Sequence, residues 1–521
     1  MMADITKLEV PEPLSRLGEA FGEAGHELYL VGGVVRWALL GAPDTDTANE
    51  AHSKKTNRRD ADAATDAYPA RIKALLRPHA QNLWTVGERF GTIGAKVGEY
   101  EVQITTYRTD RYTQGSRHPE VRFGDSLRED LARRDFTINA VAAAALTGEV
   151  VDPFEGRKDL ERGVIRAVGD PLERMRDDPL RMLRAVRFET TLSRPEKPFA
   201  MTPDLEEAIR DNAGWLQSIS TERIREEFEK ILVSENVASG LRTLVRLGLM
   251  PYVVPEFMET VDVEQEAEFH HKDVFEHTLI VVSSVEADPI LRKAAFFHDI
   301  GKPRTLVYEH RCTYCGAKSI QKSAEEGECE ICGGRTIAKK IHFYGHENVG
   351  AAIARRAMQR LAYPKDDIDA VAHLVANHMR PYGYAASKDP WSDAAVRRFI
   401  RDTYLARGDR ELANVDMLLR LARADITGSA PRRRRIAEES WRSLKSKVDE
   451  VRAEDTVEKL ESPLSGNDLM EQFGLGPGRW IKGLKDYLQN EVVEGRLGKD
   501  DIDKARKLAT AYAREHDILE E

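Results

Sequence analysis

The sequence predicts an α+β chain: a small mixed α/β head at the N-terminus, then helical domains, one of them interrupted by a four-cysteine insertion. Three observations carry this. Strand-like segments cluster early, where LYLVGG at 28–33 runs into a Gly-Gly turn and YEVQITTYR alternates Val102 and Ile104 against Glu101 and Gln103. From about residue 172 the pattern becomes helical and strongly charged. All four cysteines fall between Cys312 and Cys332.

The 521 residues suggest about three or four domains at roughly 150 residues each. With 41% hydrophobic and 32% charged residues the composition is that of an ordinary soluble chain. The formal net charge of −10 argues against a generally cationic nucleic-acid coat, but 78 Lys and Arg remain available for local basic grooves. No run approaches the ~20 apolar residues of a membrane helix, and the opening MMADITKLEVPEP lacks a basic-then-apolar signal pattern. The expectation is a cytoplasmic protein with no membrane partner.

In order, residues 1–27 read as an amphipathic helix with Leu14, Leu17 and Phe21 on one face, and 28–164 as the head. Residues 165–249 read as a helical neck, 250–440 as a helical body with the cysteine insertion at 306–341, and 441–521 as a helical tail. Residues 42–59 form a polar loop, and 431–454 a charged helix or linker.

In the head, Asp60 and Asp62 lie in RRDADAATDAYP. On a strand, alternate residues share a face, so both carboxylates point the same way and offer hard oxygen ligands suited to Mg²⁺ bound with phosphates. Alone, a D-x-D is an ordinary solvated pair. Upstream, Gly32-Gly33 and Arg36 could let a phosphate approach bare backbone beside a guanidinium; a simple turn is the other reading. Downstream, RRDFTINA at 133–140 is either a polar site wall or a helix start capped by Asp135 or Thr137.

LVGGVVRWALLG, DADAATDAYP, ITTYRTDRYTQGSRHPEVRFG, RRDFTINAVA, VDPFEGRKDLERGVIRAVGDP and DDPLRMLRAVRF occur in this order. Together they resemble the class II CCA-adding tRNA nucleotidyltransferases and bacterial poly(A) polymerases of the polymerase β superfamily, over residues ~28–245 and again in GLGPGRWIKGL. The resemblance implies a five-stranded nucleotidyltransferase head that adds or repairs the tRNA 3′-terminal CCA from CTP and ATP by two-metal chemistry. Relatives that add CC, add A or make poly(A) are the alternatives, and a phosphohydrolase with an RNA-binding head is the alternative of a different class.

The resemblance assigns Mg²⁺ to Asp60 and Asp62, with Glu101 as a third carboxylate or else a solvent-facing strand residue. It assigns the triphosphate and ribose to Gly32, Gly33, Arg36, Arg134, Asp135 and Asn139. Base reading falls to Asp178 and Arg181, spaced i, i+3 as if on one helix face, with Arg184 and Arg187 beyond them. Arg223, in TERIREEFEKIL, supports that helix rather than the base. The chain departs from the family pattern at Trp37, which replaces an acidic residue, and at Asp177, which shortens a usual Glu. The loop before Asp60 is also longer and carries a second D-x-D, Asp44 and Asp46.

In the helical body, FHHKDVFEHTL, FFHDIGKPRT, FYGHENVGA, HLVANH and RADITGS supply His277, His298, Asp299, His346, His378 and Asp425. Neutral imidazoles with carboxylates suit a divalent metal, Mn, Fe, Ni or Mg. The order resembles HD-domain phosphohydrolases, which implies metal-dependent hydrolysis of phosphoesters; a structural HD-like body that only holds tRNA is the other reading.

Cys312-x-x-Cys315 and Cys329-x-x-Cys332 stand thirteen residues apart, each pair followed by glycine, a pattern for one tetrahedral Zn²⁺. Arg311, Lys318, Lys322 and Arg335 of this ribbon, the Arg432–Arg435 run and the GLGPGRWIKGL tail are candidate tRNA contacts. The expected partners are the tRNA 3′ end, CTP and ATP, in a monomer or homodimer.

Overall fold

A computed structural model of the chain describes residues 5–41, 59–111, 120–124, 126–265, 273–387, 391–427, 431–454, 462–516 and 518. The second D-x-D and most of the TDRYTQGSRHPEV loop lie outside these residues, as do the side chains of Arg432 and Arg433. The chain divides into two compact units, Met1–Pro255 and Glu256–Glu521.

In the first unit, α1 (Glu12–Glu23) buries Leu14, Leu17 and Phe21, which is the face its spacing predicts. The head then runs β1 (Leu28–Val31), α2 (Gly33–Leu40), β2 (Arg59–Thr65), α3 (Pro69–Leu76), β3 (Asn82–Trp84), β4 (Thr92–Val97) and β5 (Tyr100–Thr106). A two-stranded ribbon, β6 (Arg108–Arg111) and β7 (Glu120–Phe123), precedes α4 (Leu127–Ala132), β8 (Ala142–Ala144) and β9 (Val150–Val151). The sheet has seven strands in the order β3-β4-β5-β2-β1-β8-β9. It exceeds the expected five because Ala142–Ala144 and Val150–Val151, in an Ala-rich run that reads equally as helix, extend the β1 edge.

The central strand β2 lies parallel to β5 and antiparallel to β1. Its Ala61 and Ala63 are buried on one face, leaving Asp60 and Asp62 on the open one. Helix α5 (Gly156–Arg162) and β10 (Val164–Ile165) close the head, and the neck follows: α6 (Pro171–Asp177), α7 (Leu180–Leu192), β11 (Ala200–Met201), α8 (Pro203–Asn212), α9 (Thr221–Leu232) and α10 (Val237–Arg246).

The second unit begins with α11 (Val274–Ser284), whose N-terminus Asp273 caps by accepting from Glu276 N, and α12 (Pro289–Phe297), capped by Asp288. After the one-turn α13 (Lys302–Thr305) comes the cysteine ribbon: β12 (Leu306–Cys312), β13 (Lys318–Gln321), β14 (Gly327–Glu328) and β15 (Arg335–Phe343). These form one antiparallel sheet in the order β13-β12-β15-β14. The chain re-enters the helical body at α14 (His346–Arg360) and α15 (Lys365–Asn377), then α16 (Arg380–Ala386) and α17 (Asp393–Thr403). A short hairpin, β16 (Leu405–Arg407) and β17 (Arg410–Ala413), interrupts the expected helices before α18 (Val415–Thr427) and the charged helix α19 (Pro431–Glu454). The tail is helical: α20 (Gly466–Phe473), α21 (Arg479–Val493) and α22 (Ile502–Glu515). Among the described residues no helix is long and apolar enough to cross a membrane.

Candidate active sites and metal centres

The register Val31↔Asp62 brings the end of β1 beside the carboxylate pair. The chain turns there at Gly32, with φ +71°, where a Cβ would also stand 3.6 Å from Asp62 Oδ2. The turn starts α2, so Gly32 and Gly33 offer bare backbone at a helix N-terminus, a natural anion site. Together with Asp60 and Asp62 they line a cavity of about 460 Å³. Its walls carry eight cationic side chains (Arg36, Arg133, Arg134, Arg181, Arg184, Arg187, Arg223 and Lys230) against four carboxylates, Asp60, Asp62, Asp135 and Asp178. Such an excess suits a polyanion bound with divalent cations.

Burial pushes the Asp62 carboxyl above its ordinary value; Arg134 opposes this and Asp60 adds to it. Two carboxylates this close favour a shared cation. Glu101 is the register neighbour of Asp60 and shares its sheet face, but is not among the cavity's lining residues.

Four arginines of the wall, Arg133, Arg134, Arg184 and Arg187, are held by buried acids. Asp130, fully buried, accepts from Arg133 at 2.6 Å and from Arg134 at 3.1 Å. Burial disfavours its charge, yet the two guanidiniums outweigh that and hold it below its ordinary value. Asp135 accepts from Arg184 at 2.8 and 2.6 Å, from Asn139 at 2.9 Å and from Phe136 N at 2.8 Å. Against the cost of burial, Arg184 and Asn139 hold Asp135 strongly ionised. Asn139 in turn accepts from Arg36, which is buried, with its guanidinium 4.8 Å from the Phe188 ring centroid. Trp37 also contacts Arg36, at 5.4 Å, an aromatic neighbour in place of the acid the family pattern carries.

The expected sharing of one helix face by Asp178 and Arg181 is not what forms. Asp178 is extended (φ −147°, ψ 99°), between α6 and α7, because the following Pro179 excludes it from helical backbone. Both residues nevertheless line the cavity. Asp178 accepts from Arg223 at 2.7 Å, so Arg223 pairs with the residue before the helix that the resemblance has it support. Arg181 donates to the carbonyls of Arg174, at 3.1 Å, and Arg133, at 2.9 Å. On α9, Glu227 is buried against Arg187 at 2.6 Å, with Arg184 at 3.7 Å and Lys230 at 3.6 Å. Glu227, Lys230, Asp130 and Phe188 went unread in the sequence. The i+4 and i+7 spacing of Glu227 and Lys230 from Arg223 was the available signal, but the arginine partners of Glu227 lie about forty residues away.

In the second unit the structure brings all six histidine and aspartate candidates together. His277 Nε2 is 2.9 Å from Asp425 and 3.4 Å from Asp299; His298 Nε2 is 3.2 Å from Asp299. On the other oxygen of Asp299, His346 Nε2 lies at 3.4 Å and His378 Nε2 at 3.9 Å. Three of the imidazoles are fixed alike: the Nδ1 of His298, His346 and His378 donates to the carbonyl three residues earlier, at 2.7, 2.8 and 2.7 Å. That leaves each Nε2 lone pair aimed inward, the tautomer a metal requires. Burial, with His298 and His346 nearby, drives the His378 pKa down to about 3, keeping it neutral. Asp425 also accepts from the buried hydroxyl of Tyr382 at 2.7 Å. The donors form two clusters that share Asp299, His277–His298–Asp299 and Asp299–His346–His378.

The four cysteines are free thiols whose sulfurs all lie within 4.8 Å of one another, with Cys312–Cys332 and Cys315–Cys329 at 3.6 Å. Thiolates ~2.3 Å from a tetrahedral zinc stand roughly 3.8 Å apart, so the spacing fits. The backbone N–H groups of Cys315 and Tyr314 point at Cys312 Sγ and bring its thiol down to about 6.

The chain matches the family described as Poly A polymerase head domain over residues 28–166, the Probable RNA and SrmB- binding site of polymerase A over 198–260, and the HD domain over 270–423. It is 33% identical over 418 residues to the A-adding tRNA nucleotidyltransferase of Deinococcus radiodurans, covering 78% of this chain and 84% of that protein. It is 41% identical over 228 residues to the CCA-adding enzyme of Bacillus subtilis, spanning 44% of this chain and about half, 51%, of that enzyme. The fold matches that of the Bacillus stearothermophilus CCA-adding enzyme in complex with CTP, with TM-score 0.62 and 24% identity, over 97% of this chain and 99% of that one. This chain belongs to the tRNA nucleotidyltransferase family, whose head, RNA-binding and HD regions it carries in order.

Proposed function

We propose that the protein adds or repairs the 3′-terminal CCA of tRNA from CTP and ATP. The observation that carries this is the aspartate pair beside a Gly-Gly helix start, facing a wall of eight cations. In this reading the tRNA 3′-oxygen bonds to the α-phosphorus, the bond to pyrophosphate breaks and the hydroxyl proton leaves. Asp60 and Asp62, with Glu101 beside them, hold Mg²⁺, which supplies charge neutralisation and an activated hydroxyl. Gly32, Gly33 and Arg134 cradle phosphates, while Arg36, Asn139 and Asp135 brace that wall. Asp178 and Arg181 face the base, and Arg184 and Arg187 order the wall behind them. The reading places the head at 28–164, the neck at 165–249, the HD body at 250–440 and the tail at 441–521. tRNA as substrate makes the cytoplasm its compartment, as a monomer or homodimer.

Addition of the terminal A alone is the second reading, favoured by the A-adding relative matched over most of its length. Incubating tRNAs that end before CCA, after C and after CC with CTP and ATP separates them. Extension of all three supports CCA addition; extension of only the last, with ATP, supports A addition.

The HD cluster is read as a phosphohydrolase centre for Mn²⁺, Fe²⁺, Ni²⁺ or Mg²⁺, bound by His277, His298, Asp299 and Asp425 on one side and by Asp299, His346 and His378 on the other. Such an ion supplies an activated water. On a 2′,3′-cyclic phosphate, water adds across one P–O bond, leaving a phosphomonoester and a free hydroxyl. Turnover of 2′,3′-cyclic AMP under each metal tests it. Zn²⁺ on the four cysteines completes the metal complement, tested by metal analysis of Cys315→Ser.

A further inference from the structure

The cysteine ribbon is inserted between Asp299 and His346, and its two faces differ. On one, His310, Cys312 and Thr336 are buried, and His310 Nε2 lies 2.8 Å from the Ser323 carbonyl. On the other, register places Arg311 opposite Lys318, and Glu309 between Ile320 and Lys340. Arg311, Lys318, Ile320 and Lys340 are exposed. Glu309 lies 3.1 Å from Lys318 and 3.7 Å from His342. Lys318 first, then His342 and Lys340, hold its carboxyl below its ordinary value, so three basic side chains converge on one acid. At the foot of this face His342 stacks on Tyr344, with centroids 5.1 Å apart and planes at 12°, and Tyr344 is 63% exposed. Two residues on is His346, whose Nδ1 is held by the carbonyl of Phe343, the last residue of the ribbon.

We propose that this face is a track for single-stranded RNA that delivers a polynucleotide end to the HD cluster. The proposal rests on the phosphohydrolase reading of that cluster and names its substrate class: the phosphorylated or cyclic-phosphate end of an RNA, rather than a free nucleotide. Arg311, Lys318 and Lys340 meet the backbone phosphates. The outer face of Tyr344, already backed by His342, stacks a base next to the metal ligands. A protein partner fits less well, because Ile320 is the one exposed aliphatic anchor among these cations, whereas RNA matches both the charge and the aromatic face. Of the ribbon's two other basic candidates, Arg335 is paired with Glu326 and Lys322 lies just beyond the end of β13.

The test uses the full chain and two substrates of the same chemistry, 2′,3′-cyclic AMP and a twelve-nucleotide RNA ending in a 2′,3′-cyclic phosphate, with the probe length of about twelve chosen to span the site of one single-strand module. The variant Arg311→Glu/Lys318→Glu/Lys340→Glu is expected to lose at least about tenfold in kcat/KM on the RNA, with cyclic AMP turnover unchanged, and to flatten the salt dependence of RNA binding by about 2 logarithmic units per decade. Tyr344→Ala is expected to lose about tenfold on the RNA alone. Glu309→Gln, which removes the one acid, is expected to tighten RNA. A photo-crosslinker at Ile320 is expected to capture the RNA near its 3′ end. Equal effects on both substrates, no effect on either, or competition by polyglutamate as strong as by RNA overturns the track. If the wild type turns over neither substrate, the phosphohydrolase reading fails. The crosslink and the salt slope then decide the track by themselves, its presence upholding RNA on this face and its absence overturning it.

Discussion

The two candidate centres solve the problem of holding charge in opposite ways. In the head, the carboxylates sit on the open face of a sheet and the cations around them are held by buried acids, Asp130 close by in sequence, Asp135 and Glu227 forty or more positions away. In the HD cluster, the donors are buried, and three imidazoles are fixed by the carbonyl three residues before each. For His298 and His378 that carbonyl lies in the last turn of a helix, whose C-cap is the histidine itself. The head therefore suits a large anionic substrate entering with its metal. The HD cluster suits ions bound before substrate arrives.

This contrast can be broken experimentally. The largest effect is expected from Asp60→Ala with Asp62→Ala: nucleotide incorporation should fall by roughly 10³-fold or more, while HD turnover and HD metal content are unchanged. Intact incorporation would remove the assignment of both aspartates. Next, Asp299→Ala removes the ligand common to both HD clusters. Metal analysis should show loss of every HD-bound ion, with nucleotide incorporation retained; loss of only part of the metal would mean that Asp299 does not bridge.

Asp130→Asn tests the reliance of the head on buried ion pairs. Two guanidiniums lose their acid, and denaturant unfolding should show the first unit weaker by about 3–5 kcal/mol. The pH sign is fixed by the lowered Asp130 value. The folded carboxyl is below its unfolded ~3.9, so its stabilisation is complete above that pH and is lost as pH falls through the folded value. The variant should flatten that acid limb; an unchanged limb would place the acid sensitivity elsewhere. The smallest effect is expected from Arg223→Ala, which frees Asp178 and leaves Arg134 and the Gly32-Gly33 turn in place. Discrimination between CTP and ATP should drop about tenfold with overall incorporation nearly kept, as for loss of one charge-assisted bond. A uniform loss for both nucleotides would instead make Arg223 a general support.

The order of the motifs was legible because each is local. The Gly-Gly turn demands φ near +71° at Gly32, the D-x-D spacing puts both acids on one strand face, and paired C-x-x-C knuckles close on one point. The seven-stranded sheet was not, because β8 and β9 are short, and an alanine run carries no period that separates strand from helix. Asp178 illustrates both sides. Its role as a pocket residue followed from the motif, but its placement beside Arg181 on one helix did not survive the proline after it.

What the sequence determined by itself is the chemistry on offer: which acids, imidazoles and thiols exist and which neighbours fix them, since strand alternation, proline and i−3 carbonyls act within a few residues. Only the tertiary structure decided how charge is balanced. Glu227 reaches Arg187 across forty positions, Asp299 stands between two pairs of histidines drawn from four elements, and three basic residues of the ribbon gather around Glu309. Those pairings depend on helix packing and sheet register, which fix distances between segments that no local spacing in the sequence encodes.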